Sequence, residues 1–556
     1  AMPAALQVSK DASLNLQGSI TVDAEGNANG IRLESGAQLK LSETAVIKNG
    51  RYANLIIAEG AQAEIAGGEI ADGSKFNILN HGTLNVTGGE ISGAKTGANV
   101  YSTGAFTQSE GTVSLSGLHN VYIAAGSFAM TGGVNTSAAK DGIVVAEGAK
   151  ADITGGEISV CIHGLCNNGQ ASTGKLTFSE CGIMNYEGAV LDIKGTTVDT
   201  SEVYCLANSG GKITAEDFTA KKCDTVAVYN FSGDMILKNL TITGGRDGNL
   251  TNAGGNMTVD GAHLDVCRDK SVVVGNGKAV LNNVKISGNS KDKYGVYTFG
   301  GELYLNDSSI ENVSSTAVKA DPGSYVELNN VTIKDVAQNG FQTEGGRVVI
   351  HNVTLQNVGS HGIYNNGGEV TVNKMQITGV EKNAVQHKSG TTTVTDLTAK
   401  TMGNHGAYVE EGTLTIKDSA FEGMTANGFY IVKGENKLVL EGVSIKDAKQ
   451  QGINNDSVVE VKNVTIENVG NNGIYNKTGA SITIDGLKVT NAGEHGVSNK
   501  SQMTAKNIVI NGTGKGSNGV QNNGTLTLTG AKITASKNHG IYNTGKLTAS
   551  DVQING

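Results

Sequence analysis

Proline is almost missing from this chain, 2 residues in 556, and tryptophan is missing altogether. Aromatic residues make up only 4%, so a deep core built around large rings is excluded over such a length. No apolar run approaches the roughly 18 residues that a spanning helix needs, and no basic cluster is dense enough to follow a phosphate backbone. The net charge is mildly acidic, −9 at neutral pH, which disfavours nucleic acid and anionic membrane as partners. The opening residues, AMPAALQVSKD, lack the charged and apolar regions of a signal peptide. We read the chain as a segment of a longer protein whose targeting and anchoring signals lie outside it.

What the chain has in excess is glycine, 78 residues, about twice ordinary usage. Hydrophobic residues reach 38% and recur at regular intervals, which argues against disorder. The glycines belong to a repeat. SHGIYNNGGEVTVNKMQITGV, residues 360–380, returns as NHGAYVEEG at 404, ANGFYIVKG at 426, NNGIYNKTG at 471 and NHGIYNTGK at 538. The period is about 22 residues, and weaker copies such as KYGVYT (293–298), TVAVYN (225–230) and DGIVV (141–145) extend it upstream to NGIRL at 29, about 24 turns in all.

Within one turn the hydrophobic spacing is two, which specifies strands and not helices. Ile363 opens one strand, Val370 and Val372 alternate in a second, and Met375 and Ile377 alternate in a third. The Asn-Asn-Gly-Gly of 365–368 reads as the turn between the first two, because Gly and Asn tolerate positive φ. The expected fold is all-β: a single parallel β-helix domain spanning 1–556, with three short strands per turn. At strand spacing such a solenoid would run on the order of 115 Å. Recurrent turn asparagines are expected to stack and to bond from turn to turn.

Degenerate turns of G-[IV]-x-N, a glycine turn and alternating Thr/Val and Ile resemble the right-handed parallel β-helix repeats of the pectate-lyase-like superfamily. The resemblance covers essentially the whole chain. It implies the right-handed fold, but that fold serves polysaccharide lyases, hydrolases, epimerases, tailspikes and bacterial adhesins alike. The TGGEI runs at 87–91 and 154–158 are similar to repeats in very large cell-surface proteins of gut bacteria and archaea. The NTD, GHG and RIK motifs of polygalacturonase-like hydrolases do not occur here. Together these features favour a non-enzymatic surface segment that binds glycan or a host surface protein, with a polysaccharide-active enzyme as the alternative.

Two sets of residues are candidates for binding. The first is a series of charged pairs just ahead of the first strand: Asp224, Arg246 with Asp247, Arg268 with Asp269, and Lys291 with Asp292. The aspartates are separated by 23, 22 and 23 residues, so they are expected to stack along the solenoid about 5 Å apart. Such carboxylates could hold Ca²⁺ or act as a glycosidase pair, with the cations orienting an acidic sugar. Alternating signs on a solvent-facing turn also simply neutralise one another.

The second set is the residue after the first-strand aliphatic, which should face outward because strand residues alternate. Tyr101 and Tyr122 fall on adjacent turns, as do Tyr408 and Tyr430, and Tyr364, Tyr475 and Tyr542 repeat the position. Outward tyrosines offer sugar rings an apolar face and a hydroxyl, although tyrosine is also a good strand former. His361, His405, His495 and His539 alternate with Asn383, Asn427, Asn472 and Asn518 at one turn position. That interchange reads as a residue bonding backbone and not as a metal site. No cofactor is expected apart from calcium. The six cysteines read as small core residues, and Cys161 and Cys181, at similar places on neighbouring turns, could bridge.

Overall fold

The computed structural model describes residues 3–265, 267–288, 290 and 292–555. Among them there is no helix, and the strand pairings between successive coils are parallel. The chain divides into two units, Ala1–Ala279 and Val280–Gly556. Each is a β-solenoid, and the coils number about 25 in total, about 22 residues apart.

The local reason is legible in one coil of the second unit. Tyr294–Thr298, Glu302–Asn306 and Ser309–Val313 are its three strands, and they pair in register with Thr316–Ala320, Tyr325–Asn329 and Thr332–Val336 of the next. In the coil of 363–380, Val370, Val372, Met375 and Ile377 are buried while Glu369, Asn373 and Gln376 are exposed, as period-two patterning requires.

The inward residues stack coil upon coil. In the first unit Ile31, Leu55, Ile78, Val100, Val121, Ile143 and Leu165 form one such row, all with no exposure. In the second, Val296, Val318, Phe341, Ile363, Val385, Ala407 and Phe429 form its counterpart. Each fully buried Ile, Leu or Val contributes about 1.5–3 kcal/mol, so a core only one side chain deep is sufficient when it is continuous.

The corners depart from expectation in an instructive way. The backbone at Asn365 and Asn366 is not left-handed; Gly367 is, at φ 84°. Asn365 is instead wholly buried, donating to the Gly368 and Thr391 carbonyls and to Thr392 Oγ1 and accepting the Gly368 amide at 2.9 Å. The left-handed residues sit further on, between the second and third strands, where Asp307, Asn330, Asn352, Lys374, Asp396 and Asp418 all have φ between 46° and 70°.

The stacked asparagines form continuous ladders. Asn455, Asn476, Asn499 and Asn522 each donate to the next asparagine, at 2.8, 2.8, 2.8 and 2.6 Å, ending on Asn543. In the first unit Asn167, Asn185, Asn208 and Asn230 do the same at 2.8 to 3.1 Å, ending on Asn252. These amides satisfy polar groups that a thin core could not otherwise tolerate.

Candidate functional site

The outward position of the first strand is a single in-register row within each unit. In the second unit it runs Tyr297, Lys319, Gln342, Tyr364, Gln386, Tyr408, Tyr430, Asn454 and Tyr475. Tyr364, Tyr408 and Tyr430 are half-buried. Tyr408 and Tyr430 meet edge to face at 5.4 Å and 87°. In the first unit Tyr101 and Tyr122 stack in parallel, with ring centroids 5.4 Å apart and planes 2° apart, and Phe76 lies 5.0 Å from Tyr101. They belong to an apolar cluster with Tyr52, Ile56 and Leu79.

Around Tyr364 and Tyr408 the row hollows into a depression of about 410 Å³, lined by His361, Tyr364, Gln386, Lys388, Tyr408 and Glu410 among others. Gln386 lies between the two rings; its amide donates to Glu410 Oε1 at 2.7 Å and its carbonyl accepts from Asn383 at 2.6 Å. Burial, with a contribution from Glu410, raises the Tyr408 hydroxyl above its ordinary value. Tyr364 and Glu410 raise Lys388, which stays a cation. Burial lowers His361 to about 4, so this imidazole is neutral at physiological pH. The hollow therefore offers two aromatic faces, one cation, one carboxylate and several neutral donors and acceptors.

Sequence reading identified the tyrosines but not Gln386, Lys388 or Glu410. The signal was present, since Glu344, Asn366, Lys388 and Glu410 occupy one flanking position of the same repeat.

The charged ladder is not arranged as its spacing suggested. Val226 pairs with Gly248 and Gly248 with Lys270. Asp247 thus lies opposite Asp269, whereas Asp224 lies opposite Arg246. The gap of 23 residues against a register of 22 displaces Asp224 by one place, and a one-place slip changes the column entirely. Asp247 binds Arg246 at 3.1 and 3.3 Å, with Asp224 also contributing to the elevated basicity of that guanidinium. Asp269 is paired with Lys270, and Arg268 is exposed. Asp292, in the second unit, is fully buried, and its backbone carbonyl accepts both the Ser314 amide and hydroxyl at 2.8 Å. Lys291 lies outside the described residues. Among the described residues no group of three His, Cys, Asp or Glu is placed to hold a metal ion.

A model of the right handed beta helix region matches residues 250–399, 294–445 and 405–556. The chain belongs to the right-handed β-helix family. No curated protein matches it. Two of the turn-position histidines of this β-helix, His405 and His495, accept a backbone amide, whereas His361 Nδ1 has no hydrogen-bond partner among the described residues. His405 Nδ1 accepts the Asn427 amide at 3.2 Å, and Asn383 Oδ1 accepts the His405 amide at 2.9 Å. Histidine and asparagine interchange because each presents one acceptor at the same reach.

One member of that position was missed in the sequence. In the first unit it holds His119, Asp141 and His163 on successive coils. Asp141 is only 2% exposed, with Oδ2 3.1 Å from His119 Nδ1 and Oδ1 2.8 Å from His163 Nδ1. Burial alone would raise its carboxyl, but the two imidazoles outweigh burial and hold it at about 2. A larger hollow of the second unit, about 990 Å³, runs past Gly470, Gly493 and Gly514 and is lined by Asp447, Lys449, Asn468, Asn491 and Lys537 among others, with no aromatic residue.

Proposed function

We propose that this β-helix is a non-catalytic cell-surface binding scaffold and that the tyrosine row of its second unit is a carbohydrate site. The observation that carries the reading is the hollow formed by Tyr364, Gln386 and Tyr408. Two rings two coils apart, at about 10 Å, match the span of a disaccharide. The amide, ammonium and carboxylate between them supply the directional hydrogen bonds that fix a sugar's orientation. A rigid sheet presents these groups with little entropy left to lose on binding. A binding and not a catalytic role is supported by the pairing of Asp247 with Arg246 and of Asp269 with Lys270, which neutralises both carboxylates.

The test is glycan-array binding alongside reducing-end and unsaturated-uronate assays on acidic polysaccharides. Tyr364→Ala and Tyr408→Ala should each reduce binding at least tenfold without any turnover in the parent protein. Turnover that disappears in Asp247→Ala and Asp269→Ala would instead establish the enzyme reading.

A further inference from the structure

We propose that Cys205 with Cys223, and Cys161 with Cys181, are disulfide-forming pairs that clamp the irregular coils of the first unit. The argument begins with the corner that follows the third strand. Ser159 pairs with Ser179, and Ser201 pairs with Cys223. Cys161 donates its amide to Glu180 at 3.4 Å and Cys181 to Thr200 at 3.0 Å. Cys161, Cys181, Ser201 and Cys223 are therefore one column on four successive coils.

The column's thiols point across the coil toward the start of its own first strand. A Cβ added to Gly142 would lie 3.4 Å from Cys161 Sγ, and one added to Gly164 would lie 2.8 Å from Cys181 Sγ. In the coil of 205–223 this first-strand position carries Cys205, just ahead of Leu206, which pairs with Ile183. That position sets the Cys205 side chain against the Cys223 thiol, and Cys161 and Cys181 stack on adjacent coils; all four are free thiols in this structure, with Cys205 Sγ donating to the Lys222 carbonyl and Cys223 Sγ to those of Val203 and Val226. For Cys161 and Cys181 the separation of neighbouring strands, about 4.8 Å, falls within the Cα range that a disulfide spans.

These pairs sit where the repeat is least regular. Leu165 pairs with Ile183, 18 residues on, across a register shift, and Ile183 then pairs with Leu206, 23 residues on. Coils of unequal length lose part of their ladder, and a covalent closure compensates by restricting the unfolded chain.

The oxidant is a small-molecule disulfide such as glutathione disulfide. The Cys223 thiolate attacks one of its sulfurs, the sulfur–sulfur bond breaks, and one glutathione leaves as thiolate. Cys205, losing its proton, then attacks the Cys223 sulfur of the mixed disulfide and releases the second glutathione. Two protein thiols are oxidised and one glutathione disulfide is reduced to two glutathiones. Cys205 and Cys223 are 0% and 1% exposed, so this exchange belongs to the folding chain, before the coil closes.

The test is refolding of the full chain with glutathione disulfide, alkylation in denaturant, and non-reducing tryptic mapping. Lys212, Lys221 and Lys222 separate Cys205 from Cys223, and Lys175 separates Cys161 from Cys181, so each bridge appears as a linked peptide pair that splits on reduction. Two such pairs are expected, each with the loss of two hydrogens. Cys205→Ser should remove the first and leave the second. All four thiols still alkylated after refolding, or the same cysteines linked in another pairing, would overturn the proposal.

Discussion

Replacing His405 by asparagine should leave the β-helix as stable as before at neutral pH and more stable in acid. Burial holds His405 at about 4, against 6.5 for an ordinary imidazole. Its folded value lies below the unfolded one, so the unfolded chain binds the proton first. The contribution is complete above about pH 6.5, is lost as pH falls toward about 4, and changes no further below that. The interval corresponds to about 3 kcal/mol for this one residue. The structural cause is burial; the neutral ring's Nδ1 accepts the Asn427 amide at 3.2 Å. Asparagine already performs this task at 383 and 427, whose Oδ1 atoms accept the His405 and Gln451 amides at 2.9 and 3.1 Å. The assay is denaturant unfolding at pH 7 and at about pH 4.5, with hydrogen exchange of the Asn427 amide as the local reporter. His405→Asn should show a smaller acid loss by most of that 3 kcal/mol and unchanged exchange at pH 7. A variant that keeps the parental acid loss, or whose Asn427 amide is deprotected at neutral pH, would refute the reasoning.

Asn499→Ala should cost about 2–5 kcal/mol, because it strands one Asn476 N–H and the Ser501 amide without their acceptor; denaturant midpoints should show it, with exposed Asn523→Ala as the neutral control. Val160 is β-branched yet held at φ 52° and 46% exposed, so Val160→Asn should stabilise the fold by about 1 kcal/mol, read as a raised thermal midpoint. The exposed row of Lys417, Glu441, Lys462, Asp485 and Lys506 alternates in sign; Glu441→Gln should leave the unfolding midpoint unchanged within scatter in both low and high salt.

The β-helix was legible in the sequence because each coil repeats one local instruction: alternating inward aliphatics, a glycine ahead of Ile363 or its equivalents, and polar corner residues. Period-two patterning fixes which side chains face in, and the repeat fixes which residues share a row. The outward tyrosines and the His/Asn interchange follow from those two periods alone. Tertiary structure decided what the periods cannot express. The single extra residue between Asp224 and Asp247 moves a carboxylate out of its column, and only the hydrogen-bonded register reveals in which direction. The clasp of Asp141 by His119 and His163 was already available in the repeat, since the three share one position at 22-residue spacing, whereas the meeting of Cys205 with Cys223 depends on how tightly the corner turns. That is set by packing between coils and not by any spacing along the chain.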